Sequence, residues 1–182
     1  MERAPFQDDE IAVVGQAIEI SEDLISDFYK ISTSEWKRCR YDIQSLQSLH
    51  ADEITDAAFA QIRRYACYPG ERLRGSEPGD YFKICLQDHR IREATARDSR
   101  LHLFPFATYI VTHELIHVVR FAKFIHRFHT SEREIDAEEQ RVHALTCKVL
   151  SGLKIKGMGH VVDVFQDSRA VEDFSEHCPA CA

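Results

Sequence analysis

The chain has 182 residues, a formal net charge of −7, 44% hydrophobic residues and 29% charged residues. These values are ordinary for one globular domain with its own core. The negative charge argues against binding to nucleic-acid backbones or anionic membranes, because both need clustered positive charge. We therefore expect a single domain over residues 1–182, with neither a nucleic acid nor a membrane as partner.

The cellular location is inferred from the absence of two sequence signals. The opening segment MERAPFQDDE is polar and acidic, unlike a secretory signal, and no uncharged apolar run has the length of a membrane span. We expect a cytoplasmic protein whose six cysteines are reduced thiols.

The first part of the chain is predicted to be helical. Apolar spacing indicates helices over residues 8–30, as one interrupted helix or a helical hairpin, and over 34–49 and 52–66. The glycine- and proline-rich segment 67–80 is predicted to be a loop. The short alternating segment YFKICLQ at 81–87 predicts a strand.

The second part contains the two most important predicted helices. One runs from about residue 105, where a proline suits the first turn, to about 129. The next runs from about 131 to 151 and opens with the capping-box pattern of Ser131 and Glu134. VVDVF at 161–165 is predicted to be a second strand. The expected fold is mainly α, or α+β with one small sheet, with a bundle-like core around the first of these helices.

That buried helix carries the segment HELIH at 113–117. His113 and His117 are four residues apart and project from the same side of a helix, and Glu114 lies about 100° around. Two neutral imidazoles can hold Zn²⁺ with an open position for water, and a neighbouring carboxylate can accept the proton of that water. The pattern favours a hydrolytic zinc site, with a pair of hydrogen-bonded core histidines as the structural alternative.

A catalytic zinc needs a third protein ligand, and the following helix carries the candidates. Relative to Val142, at the centre of its apolar stripe, Glu138 lies about 40° to one side and Glu139 about 60° to the other. Glu134 lies at the edge of the stripe. We predict that Glu138 or Glu139 completes the site.

His143 follows Glu139 by four residues, which leaves three roles open. The two residues could share an ion, His143 could orient another ligand from outside the coordination shell, or it could face solvent.

HELIH followed by a glutamate-bearing helix resembles the zincin metallopeptidases, in particular the gluzincin type, over about 40 of the 182 residues. The resemblance implies zinc as the cofactor and a peptide or protein as the substrate, laid along an edge strand for which YFKICLQ is the candidate. It implies these roles: His113 and His117 as zinc ligands, Glu114 as general base, and one of Glu138, Glu139 or Glu134 as third ligand.

Two other metal chemistries stay open. Glu114-Leu-Ile-His117 is also Glu-x-x-His, half of the pattern of a di-iron carboxylate bundle, so iron is the alternative metal. A non-catalytic module with a structural or regulatory metal is the other alternative.

The C-terminal segment HCPAC at 177–181 is a separate candidate thiol site. Cys178 and Cys181 could join a second zinc site, form a redox pair, or fold back onto the open position of the first zinc. An unordered tail is the alternative without chemistry.

Overall fold

The computed structural model describes residues 3–36, 40–66, 80–123 and 132–166. Within these ranges the predicted fold class, mainly α with one small sheet, is confirmed. The helices are α1 (Asp8–Tyr29), α2 (Thr33–Trp36), α3 (Asp88–Arg97), α4 (Leu103–Ala122), α5 (Glu132–Leu150) and α6 (Met158–Gln166). The strands are β1 (Arg40–Gln44), β2 (Ala60–Ala66) and β3 (Asp80–Leu86). No helix in these ranges has the length and apolarity needed to cross a membrane.

Helix α4, which carries HELIH, is the centre of the fold. It packs against α1, α3, α5, α6 and two strands of the sheet, and 15 of its 20 residues are buried. A helix that is apolar nearly all round is expected to occupy such a position. The predicted bundle-like core therefore surrounds the motif helix.

The sheet is mixed, with the strand order β1-β3-β2. Strand β3 pairs in parallel with β1 and antiparallel with β2, so the predicted strand YFKICLQ is present. The expectation that it forms an edge is wrong, because β3 is central in the described sheet. One face of β3 buries Phe82, Ile84 and Leu86, and Phe82 stacks on Phe121 of α4.

The long predicted helices correspond to observed ones. The segment 8–30 was predicted as an interrupted helix or a hairpin, and this is wrong, because α1 is one uninterrupted helix. It begins at a reciprocal capping box between Gln7 and Glu10 and is capped by Lys30, which has a left-handed φ of 54°. Helix α5 occupies the position predicted for it. Helix α4 begins at Leu103 and ends at Ala122, before the predicted end at about 129, and residues 124–129 lie outside the described residues. The predicted cap Ser131 lies outside the described residues, as does the predicted loop 67–80 apart from Asp80.

Three predicted elements are wrong. Residues 34–49 contain the short α2 and strand β1, and residues 52–66 contain strand β2. Residues 161–165 belong to α6, where Val161 and Phe165 are buried one turn apart. In each case the apolar residues fit both the helical and the strand periodicity over a short span. Packing against α4 and its neighbours determines which structure forms.

Helix α3 was not predicted because its sequence, DHRIREATAR, is mostly polar. Its start is fixed by the buried carboxylate of Asp88, which accepts the backbone N–H groups of Phe6 and Leu46 at 2.9 and 3.0 Å. Ile91 and Ala94 supply its small buried face.

Candidate metal centre

The candidate centre lies where α4 packs against α5. Helix α4 presents Tyr109, His113 and His117 at four-residue steps, and α5 presents Glu139 and His143 at the same step. Side chains four residues apart share one face of a helix. The two helices therefore face each other with a stripe of polar, metal-binding side-chain types on each.

Three of these side chains converge closely. The Nε2 atoms of His113 and His117 are 3.2 Å apart. Glu139 Oε2 lies 3.3 Å from His113 Nε2, and Glu139 Oε1 lies 3.2 Å from His117 Nε2. Zinc–ligand bonds of about 2.0–2.1 Å in tetrahedral geometry place neighbouring ligand atoms about 3.3 Å apart. Each of these three contacts has about that spacing, with the two histidines meeting different oxygens of Glu139.

The two imidazoles make their contacts through Nε2. His113 and His117 are buried, and their Nδ1 atoms have no hydrogen-bond partner among the described residues. Nε2 is consequently the engaged nitrogen of each ring. The Glu139 side chain keeps 46% of its surface exposed, so the cluster has access to solvent on the α5 side.

Charge in the cluster is balanced by Glu139. Burial acts to raise the pKa of Glu139, but its hydrogen bonds to His113 and His117 outweigh burial and hold the pKa well below its usual range. Burial acts to lower the pKa of His117, and its contact with Glu139 reverses this, so that the pKa is raised. A cation bound at the His117 ring would compete with a proton there, so its binding would be expected to release protons.

Glu114 flanks the cluster without joining it. It is half-buried and makes no hydrogen bond or ion pair with another described residue. Burial raises the pKa of its carboxyl, while the nearby charges of His113 and His117 act to lower it. A carboxylate with no partner among the described residues, beside two imidazoles, is suited to exchange protons with a molecule bound there.

The neighbouring glutamate Glu138 is not brought into the cluster. Its buried carboxylate forms a two-pronged ion pair with Arg120 of α4, with Oε2 2.8 Å from Arg120 Nη2, and it also contacts Arg141. Glu134 is exposed, and its carboxylate is not among the ligand atoms that gather at the histidines in the described chain. Of the three candidate carboxylates, only Glu139 contacts the histidines.

His143 lies at the border of the cluster. His143 contributes a ligand atom that lies within 4.8 Å of one ligand atom of His113 and one of Glu139. The ring centroids of His113 and His143 are 4.6 Å apart. Burial and the neighbouring His113 lower the pKa of His143 to about 4, so this ring is neutral near pH 7. Its Nδ1 lies 2.8 Å from the hydroxyl of Tyr109.

Sequence reasoning missed two residues at this centre. Tyr109 precedes His113 by four residues, so the helical step that relates the histidines could have indicated it. Arg120 could have been singled out as a cation inside an apolar helix, since such a charge needs a buried partner.

The predicted thiol pair Cys178 and Cys181 lies outside the described residues. Comparisons with protein-family models, curated proteins and solved structures found no match for the chain. The activity of the centre is therefore inferred from its own side chains and their geometry.

Proposed function

We propose that this protein is a zinc-dependent hydrolase that cleaves peptide bonds in peptide or protein substrates. The observation that carries the proposal is the convergence of His113, His117 and Glu139: the two Nε2 atoms are 3.2 Å apart, and each lies 3.2–3.3 Å from one oxygen of Glu139. Such spacing suits three ligands of one tetrahedral ion and leaves a fourth position open.

The proposed division of roles follows from the positions of the side chains. His113, His117 and Glu139 would hold the ion, which when bound lowers the pKa of water and polarises a carbonyl oxygen. Glu114 acts as general base: its carboxylate takes a proton from the attacking water and passes it to the leaving amine. Its lack of a hydrogen-bond partner in the described chain supports this role.

A peptide substrate is supported by the sheet. Strand β2 forms an edge of the described sheet and packs against α4, the helix that carries three of the proposed site residues. The backbone N–H and C=O groups on the outer side of an edge strand can pair with an extended chain. An extended peptide is the substrate class that makes use of such an edge.

The direct test combines metal analysis with a cleavage assay on unfolded proteins and a peptide library. We expect about one zinc per chain in the wild type and its loss in His113→Ala. His102→Ala is the matched control, because this histidine is exposed at the start of α4. Absence of zinc from the wild type would refute the proposal, and two irons per chain would favour a di-metal carboxylate site.

A second candidate function is a non-catalytic zinc module. It is supported by the approach of His143 to His113 and Glu139, since a fourth protein ligand would close the coordination sphere. Stoichiometric zinc that is lost in both His113→Ala and His143→Ala, together with no cleavage of any substrate, would favour this function over hydrolysis.

A further inference from the structure

The hydrogen bond between Tyr109 and His143 determines which nitrogen of His143 carries the proton. The hydroxyl of Tyr109 lies 2.8 Å from His143 Nδ1 and has no other hydrogen-bond partner among the described residues. Tyr109 is only 4% exposed. A buried hydroxyl whose hydrogen finds no acceptor is costly, so the phenol donates to its one neighbour.

The direction of this bond fixes the tautomer. A nitrogen that accepts a hydrogen bond has its lone pair in use and carries no hydrogen. A neutral imidazole has one N–H, so the hydrogen of His143 is then on Nε2. An Nε2–H group donates hydrogen bonds and has no lone pair to offer to a metal ion.

We propose that Tyr109 holds His143 in the Nε2–H tautomer, which makes His143 a hydrogen-bond donor beside the metal centre and excludes it as a fourth metal ligand. This inference rests on the proposed zinc site. Tyr109 is then a positioning residue: by holding the His143 tautomer, it keeps the fourth coordination position open for water. The His143 ring centroid lies 4.6 Å from that of His113, so an Nε2–H donor on this ring would be near a ligand bound at the centre, where a donor stabilises developing negative charge.

The tautomer can be measured in the metal-free protein by ¹⁵N NMR of the imidazole nitrogens, independently of zinc binding or activity. We expect a protonated Nε2 and an unprotonated Nδ1 for His143 in the wild type, and a shift towards Nδ1–H in Tyr109→Phe. Tyr41→Phe is the matched control, because that hydroxyl donates to Glu22 far along the chain from His143. A protonated Nδ1 in the wild type, or no change in Tyr109→Phe, would overturn the proposal.

Zinc titration gives the second readout. His143→Ala should keep one zinc per chain with an affinity loss of no more than roughly a hundredfold, as for a residue outside the coordination shell. Tyr109→Phe should tighten zinc binding, because His143 Nε2 is freed to coordinate. Loss of zinc in His143→Ala to the extent seen in His113→Ala would identify a ligand and refute the inference. A wild type that binds no zinc would instead refute the proposed hydrolase, and the NMR result would still decide the tautomer.

Discussion

Two adjacent glutamates on α5 contact different side chains of α4. Glu138 pairs with Arg120, and Glu139 contacts His113 and His117. Neighbouring residues on a helix point about 100° apart, so both can face α4 while meeting different side chains. The sequence placed both inside the apolar stripe and could not choose between them. Arg120 determines which glutamate is left to contact the histidines, because its buried guanidinium needs a carboxylate partner and pairs with Glu138.

Substitution of these two glutamates should separate metal binding from stability. Glu139→Ala is expected to lose zinc and to keep the fold, because it removes a half-exposed ligand. Glu138→Ala should leave Arg120 buried without its main partner and cost about 3 kcal/mol or more in the free energy of unfolding. Zinc content and urea unfolding measure the two effects, and Glu134→Ala is the control on the same helix. Zinc lost only in Glu134→Ala would show that the ligand assignment is wrong.

The role of Glu114 gives a sharper test of hydrolysis. Glu114→Gln should keep one zinc per chain, because it leaves the three proposed ligands intact, and should lower the cleavage rate by about 10²- to 10⁴-fold, because the proton acceptor is lost. Glu19→Gln, an exposed position on α1, is the matched control. If Glu114→Gln loses zinc as readily as His117→Ala, Glu114 is a ligand and the di-metal alternative gains support.

At the scale of elements, the Arg120–Glu138 pair fixes how α5 sits against α4. The pair is buried, with side chains 7% and 3% exposed, and it lies one residue from the proposed ligand Glu139. A two-pronged ion pair restricts rotation of α5 about its axis more strongly than apolar contacts do. We infer that this pair sets the rotation at which Glu139 meets the two histidines.

An apolar replacement of the pair tests this inference. The double variant Arg120→Met/Glu138→Leu should keep or raise stability, because well-packed apolar residues often replace a buried ion pair without loss. Its zinc affinity should fall by roughly 10- to 100-fold, as when groups that orient ligands are removed. Arg3→Met/Asp56→Leu, at an exposed ion pair, is the control. Unchanged zinc affinity with unchanged stability would mean that the pair does not position Glu139.

The same scale explains which elements could be predicted from the sequence. Helices α4 and α5 have long periodic segments, and the four-residue step of the histidines follows from helix geometry alone. Strand β1 and helix α6 are short, so their apolar residues fit both a helix and a strand. Val161 and Phe165 acquire a helical role only because α6 packs against α4 and α5. Whether such a short segment becomes a helix or a strand depends on the elements it packs against, and the local sequence does not show these.

At the scale of the whole molecule, the sheet has two unlike faces. One face packs on the helices, and the opposite face carries Lys83, whose Nζ lies 2.8 and 2.7 Å from the two oxygens of Glu53. The hydroxyl of Tyr65 donates to the same carboxylate at 2.6 Å. This cluster ties the short turn at Ala51–Glu53 to strands β2 and β3, remote in sequence from the candidate metal centre.

The Glu53 cluster should make the stability of the fold sensitive to acid. Burial acts to raise the pKa of Glu53, but the hydrogen bonds from Lys83 and Tyr65 outweigh burial and lower it to about 2, from an ordinary value of 4.5. As pH falls, the unfolded chain therefore binds a proton at Glu53 before the folded chain does. The stabilisation by ionised Glu53 is complete above about pH 4.5 and is lost progressively towards pH 2.

We expect the urea midpoint of the wild type to fall between about pH 5 and pH 3, and Glu53→Gln to be less stable at pH 7 with a flatter profile over this range. Other carboxylates contribute to acid unfolding in both proteins, so the difference between the two profiles is the quantity that reports on Glu53. Glu19→Gln should follow the wild type, because that side chain is exposed. Parallel profiles for the wild type and Glu53→Gln would show that the ionised carboxylate of Glu53 does not stabilise this end of the sheet.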